Sequence, residues 1–157
     1  MTRIQTLSVL GLAHLSLSSL MLAQIPITSG NLVVLRIGDG VAALSSAAQP
    51  TFLDEFTPTG ALVQSIPVPT APNGLNLACT NNGTATSEGS LNLSPDGQWF
   101  TWGGYRAAPG TLAINGTASA ANPRVVGRLS SATGLVDTST SMNNAFSAGN
   151  IRSVATD

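Results

Sequence analysis

Lysine is absent from this chain of 157 residues, and histidine and cysteine occur once each, at His14 and Cys79. Without lysine there is no Schiff-base nucleophile and no Ser-Lys dyad. A single cysteine rules out an intrachain disulfide. Charge is scarce too: 8% of the residues are Asp, Glu, Lys or Arg, against roughly 25% in an average soluble domain. The six basic residues are all arginine and the net charge is −1, so no basic patch is available for a phosphate backbone and nucleic acid is disfavoured as a partner. Helical periodicity is missing as well. No window of ten or more residues after the first 23 keeps an apolar period of 3.6, and the chain reads as all-β.

What is present begins with a leader. Residues 1–23 carry Arg3, then leucines at 7, 10, 12, 15, 17, 20 and 22, then the small Ala23. This is the pattern of a cleaved signal peptide with Gln24 as the new N-terminus. The apolar run is broken by His14 and several serines and falls short of the ~20 residues that a spanning helix needs, so no stable membrane span is expected after cleavage. The expected location is secreted, periplasmic or cell surface. Cleavage removes His14 and Arg3, leaving five arginines against seven acids, a net charge of −2. The mature chain then lacks the imidazole that a Ser-His-Asp triad, a Cys-His pair or a histidine-ligated metal requires.

The most readable stretch is 89–105. Leu91 and Leu93 alternate with polar neighbours, Ser94-Pro95-Asp96-Gly97 turns the chain, and Trp99–Tyr105 leaves as an aromatic strand. Proline presets φ at the first corner, Asp96 bonds the backbone ahead of it, and Gly97 accepts a positive φ. Elsewhere Leu32–Ile37 is a β-branched strand, Thr51–Phe56 and Ala61–Ile66 form a hairpin about Thr57–Gly60, and Arg124–Leu129 and Leu135–Ser139 form another about Ser130–Gly134. Val41–Gln49, residues 70–88, Ala107–Pro123 and Met142–Gly149 read as loops, and Ile151–Ala155 as a strand just beginning.

Laid side by side, these pieces repeat. Gly60 aligns with Gly134, 74 positions on, and Gly30 with Gly97, 67 positions on. Units of about 70 residues with three or four short strands match the blade of a β-propeller, which needs about four to eight blades to close. The expected organisation is a signal peptide over 1–23 and a repeat region over 24–157. Within it, unit 1 covers about 30–69, unit 2 about 87–145, and unit 3 starts at about 149–157, as the N-terminal portion of something longer. Ser-Pro-Asp-Gly followed by an aromatic strand resembles the blade hairpin of TolB-like and WD40-like propellers. Gly30–Gly40, Phe52–Gly60, Thr84–Gly89 and Asn150–Ser153 look like uncharacterised secreted bacterial proteins of the repeat-propeller kind. That resemblance implies four-stranded antiparallel blades and carries no activity with it.

Chemistry-bearing residues are few. Asp54 and Glu55 are neighbours on a strand, so they point to opposite faces, and the expectation is one solvent-facing and one rim carboxylate. Asp39 and Asp96 read as turn formers, since neither has the second carboxylate nearby that Ca²⁺ would want. Cys79 reads as an inert thiol in a polar loop. Phe100 and Trp102 share one face and Trp99 and Thr101 the other, one pair being expected to fill the space between neighbouring blades and the residue left over to be a surface aromatic or a ligand platform. Glu88 and Arg152, each at the start of an innermost strand, are the binding candidates, as charges facing one another at a channel mouth. Asn82, Asn92 and Asn115 fit the glycosylation pattern. No catalytic residue, metal ligand or cofactor is expected. The function expected is a non-catalytic binding or surface-structural module for an unknown small molecule, glycan or protein. The alternative is the leading part of a secreted propeller hydrolase or lyase whose catalytic residues lie beyond Asp157.

Overall fold

A computed structural model describes residues 25–157; the leader expectation for 1–23 lies outside the described residues. The described chain is all-β, with nine strands and a single 3-10 turn. The strands are β1 (Leu32–Ile37), β2 (Ala48–Gln49), β3 (Thr51–Phe56), β4 (Leu62–Pro67), β5 (Asn81–Asn82), β6 (Asn92–Leu93), β7 (Trp99–Tyr105), β8 (Arg124–Ser130) and β9 (Val136–Met142). They form three antiparallel sheets, β1-β3-β4, β2-β5 and β6-β7-β8-β9, and none of them closes on itself. No helix among the described residues is long and apolar enough to cross a membrane.

The hairpin over 89–105 forms as its turn chemistry dictates. Gly97 sits at φ 72°, where a side chain would be strained. The Ser94 N–H donates to the Trp99 carbonyl at 2.8 Å, and Asp96 Oδ1 accepts from the Gln98 N–H at 3.0 Å. The second half of the hairpin is far longer than the first, because β6 pairs with β7 at only two positions.

Alternation gives the four-stranded sheet two different faces. On one face Phe100, Trp102, Val125 and Leu129 meet Leu53 and Ile66 of the three-stranded sheet, with Val68 and Cys79 closing the cluster. Trp102 is fully buried there and lies over its cross-strand partner Gly127, where an added Cβ would run into the indole. Such aromatic–glycine pairing fills the gap that a residue without a side chain leaves in a strand. On the other face Tyr105 packs with Ala48, Ala107, Ile114 and Ile151. The pair expected to fill the space between sheets is therefore Phe100 with Trp102, while Trp99 stacks under the Arg128 guanidinium at 4.6 Å.

Several sequence expectations need correction. The loops over 41–49 and 70–88 meet as a two-stranded ladder, Ala48 opposite Asn82 and Gln49 opposite Asn81. Two residues per strand are too few to carry a period, so alternation could not reveal them. Ile151–Ala155 is not a strand. It lies over the second face, with Ile151 buried against Gly103 and the Val154 carbonyl accepting from Thr101 Oγ1 at 2.9 Å. Cys79 is not in an open loop but fully buried between the sheets. Asp54 and Glu55 do point to opposite faces, yet both are buried, at 5% and 0% exposure. Asp54 is held by Arg36 at 2.6 Å, and Glu55 by donors from outside its own strand, since a buried carboxylate persists only when it is paired.

Candidate functional site

The sites are built on the carboxylates. Glu55, on β3, accepts from the Thr28 N–H at 2.8 Å, from Asn31 Nδ2 at 2.6 Å and from Gln64 Nε2 at 2.7 Å. Burial pushes its pKa up, but the three donors outweigh burial and hold the carboxyl below its ordinary value. The group pins the lead-in 25–31 across the end of the three-stranded sheet.

Glu88 is the sequence candidate that the fold places in a structured environment. It lies between β5 and β6, where Oε2 accepts from the Asn82 N–H at 3.1 Å and Oε1 accepts from the Tyr105 hydroxyl. Burial raises its pKa, and the hydrogen bonds from Tyr105 and Asn82 only partly offset this. Tyr105 is raised in turn by burial and by the Glu88 charge. Directly opposite Tyr105 in the ladder stands Arg124, fully buried, its guanidinium 4.8 Å over the Tyr105 ring. Arg124 makes no ion pair among the described residues; it donates to the carbonyls of Asn122 at 2.7 Å, Gly149 at 2.9 Å and Thr117 at 3.0 Å. Burial lowers its pKa, with Tyr105 and Glu88 acting the other way.

Arg152 does not join this cluster. It is exposed, and the two ion pairs among the described residues are Arg36–Asp54 and Arg128–Asp137. The residues that surround Glu88 are Tyr105, Asn82 and Arg124. Sequence reasoning missed Arg124 because an arginine at a strand start reads as solvent-facing, and only the cross-strand register brings it over Tyr105.

The second polar centre is Asn82. Its Nδ2 donates to the Ser46 carbonyl at 3.1 Å and to Asn115 Oδ1 at 2.9 Å, and its Oδ1 accepts from the Thr84 and Ala85 N–H groups at 2.9 and 3.0 Å. Asn92 Nδ2 donates to the Val154 carbonyl at 2.7 Å. All three residues that fit the glycosylation pattern thus have hydrogen-bonded side-chain amides, and Asn82 is the hub among them. An Asn-Asn-Gly-Thr run is a signal for this, since asparagine followed by glycine and threonine favours an Asx turn. Asp39 and Asp96 serve their turns, Asp39 Oδ1 accepting from Val41 and Ala42 at 2.9 and 3.2 Å. Burial pushes the Cys79 thiol up to about 12 against a smaller opposing effect of Trp102.

A cleft of about 230 Å³ lies on the second face of the four-stranded sheet, between Thr101, Arg128, Asp137 and Thr140 on one side and Val154–Thr156 on the other. Its charges already neutralise each other: Arg128 Nη2 and Asp137 Oδ2 are 2.8 Å apart. It offers hydroxyls and a neutral ion pair, a lining for an uncharged polar ligand. The described residues hold no cluster of three or more His, Cys, Asp or Glu side chains that would take a metal ion. In comparisons with family models, with curated proteins and with solved structures, nothing matches this chain.

Proposed function

We propose that the chain is an exported, non-catalytic binding or surface-structural module made of β-propeller-like units. The observation that carries this reading is how the charged groups are used. Asp54, Glu55 and Glu88 are each held by donors from their own fold. None of the three lines the cleft beside Thr140, so none is placed to meet a ligand seated there. The unit reading is supported by the order β1-β3-β4 in one sheet and β7-β8-β9 in the other, stacked through one apolar cluster. The turn glycines of the repeat, Gly30, Gly60, Gly97 and Gly134, all have positive φ. The cleft beside Thr140 is the proposed ligand seat, with a small molecule or glycan as its occupant.

A Glu88 whose pKa is raised beside Tyr105 favours a second reading, the leading part of a secreted propeller hydrolase or lyase, because a general-acid carboxyl is one whose pKa its surroundings push up. Two measurements test the proposal. Full-length protein expressed in a bacterium is fractionated and its N-terminus sequenced; a chain starting at Gln24 outside the cytoplasm is expected, and an uncleaved cytoplasmic product refutes export. Chromogenic glycosides and esters are then offered to the purified protein. No turnover is expected, and turnover that vanishes in Glu88→Gln establishes the second reading instead.

A further inference from the structure

The sheet edges of this chain are treated unequally. The outer edge of β7 is covered by β6 at Phe100 and Thr101 and bridged by Thr80 at Tyr105. On β9, Thr138 is occupied by Asn76 Oδ1 at 2.8 Å and by the Leu77 N–H at 3.4 Å. β4 ends on Pro67, which has no N–H, and its ladder is bulged between Glu55 and Phe56. These are the devices that keep an edge from pairing with another chain. β1 has neither bulge, proline nor covering strand: it is six residues in unbroken register with β3, with no strand on its outer side among the described residues, and its one charge, Arg36, is paired with Asp54. Leu32 and Val34 stand 59% and 47% exposed on it.

The lead-in that would cover this edge, as Asn92 and Leu93 cover part of β7, is tied elsewhere. The Ile27 N–H donates to the Ser131 carbonyl at 2.9 Å, and Thr28 and Asn31 are both bound to Glu55.

We propose that β1 pairs with β1 of a second copy of this chain, antiparallel, with Val34 opposite Val34 on a two-fold axis. In that register Leu32 faces Arg36 and Val33 faces Leu35, so the two three-stranded sheets run on as one with matching faces. Charge favours a second copy as the occupant. Asn31–Leu35 carries no charge, and Arg36 is already neutralised by Asp54 at 2.6 Å, so copies meet without repulsion and the Arg36 stem covers the Leu32 of the other chain.

Sedimentation velocity of the full-length protein, produced with its own leader and purified from the exported fraction, should show a concentration-dependent monomer–dimer equilibrium. Val34→Lys places two ammonium groups on the axis and should weaken the dimer at least roughly tenfold, like charges directly opposite being unfavourable. Leu75→Lys, at an exposed leucine away from β1, should leave it unchanged. Hydrogen exchange on the unmodified chain supplies a check that needs no variant: alternate amides of 32–36 lose protection on dilution. A monomer at every concentration, a dimer insensitive to Val34→Lys, or β1 exchange independent of concentration overturns the proposal.

Discussion

Glu55 and Glu88 are both taken out of water on the same small fold, and their carboxyls move in opposite directions. Glu55 receives three N–H donors and is driven below its ordinary pKa; Glu88 receives one N–H and one hydroxyl and is driven above it. The sign is set by a balance: each N–H aimed at a carboxylate stabilises the charged form while desolvation penalises it, and donors win at Glu55 whereas desolvation wins at Glu88. The first sheet is thus tied together by a charge, and the Glu88 corner of the second by a group that favours its proton.

The comparison depends on both residues belonging to one cooperative unit, and the strongest way to break it is to split the sheets. Trp102→Ala removes the largest side chain from the shared cluster and should cost about 3–5 kcal/mol. Urea unfolding followed by circular dichroism reads this, and an unchanged midpoint would mean that the sheets are held by something other than that cluster.

Glu55→Gln comes next. An amide placed among three donors leaves at least one of them without an acceptor, at about 1–3 kcal/mol. The pH course follows from the lowered pKa. The folded state binds the proton less readily than the unfolded state, so the stabilisation is present above the unfolded value and is lost as pH falls through the folded one. The gap between the unmodified chain and Glu55→Gln should therefore close in acid, and a gap that stays constant with pH would remove the charge from the explanation.

Glu88→Gln should have the smallest effect, within about 1 kcal/mol, because an amide can accept from the Asn82 N–H and donate to Tyr105. Its pH course has the reverse sign. With the folded pKa raised, stabilisation is present below the unfolded value and is lost as pH rises through the folded one. The substitution should flatten that decline, and Arg152→Ala, at an exposed side chain, is the matched control that should leave the curve unchanged. A steeper decline in Glu88→Gln would overturn the assignment.

Much of the strand content was legible because turn chemistry and alternation are local. Ser94-Pro95-Asp96-Gly97 and the β-branched run Leu32–Ile37 announce themselves, and the face-sharing of Phe100 with Trp102 follows from a period of two. The Glu88 corner was half legible. Its carboxylate stood out by position, but its partners come from residues six to seventeen positions away in sequence and depend on how β5 meets β7. The surroundings of Arg152 were not legible for the same reason: the stretch 151–155 reads as a strand in sequence, and instead it is packed across a sheet face by Ile151. Nothing in composition says whether a lone extended stretch will pair edge to edge or lie flat.

Cys79 gives the molecule a built-in clock. It is the chain's single thiol, it is wholly enclosed where the two sheets meet, and burial holds it protonated far into the alkaline range. An alkylating reagent in solution reacts with it only while the sheets are apart. Where capping outpaces reclosing, the rate at which that one sulfur is capped counts openings of the Cys79 site; where reclosing is faster, it reads the population of the open form.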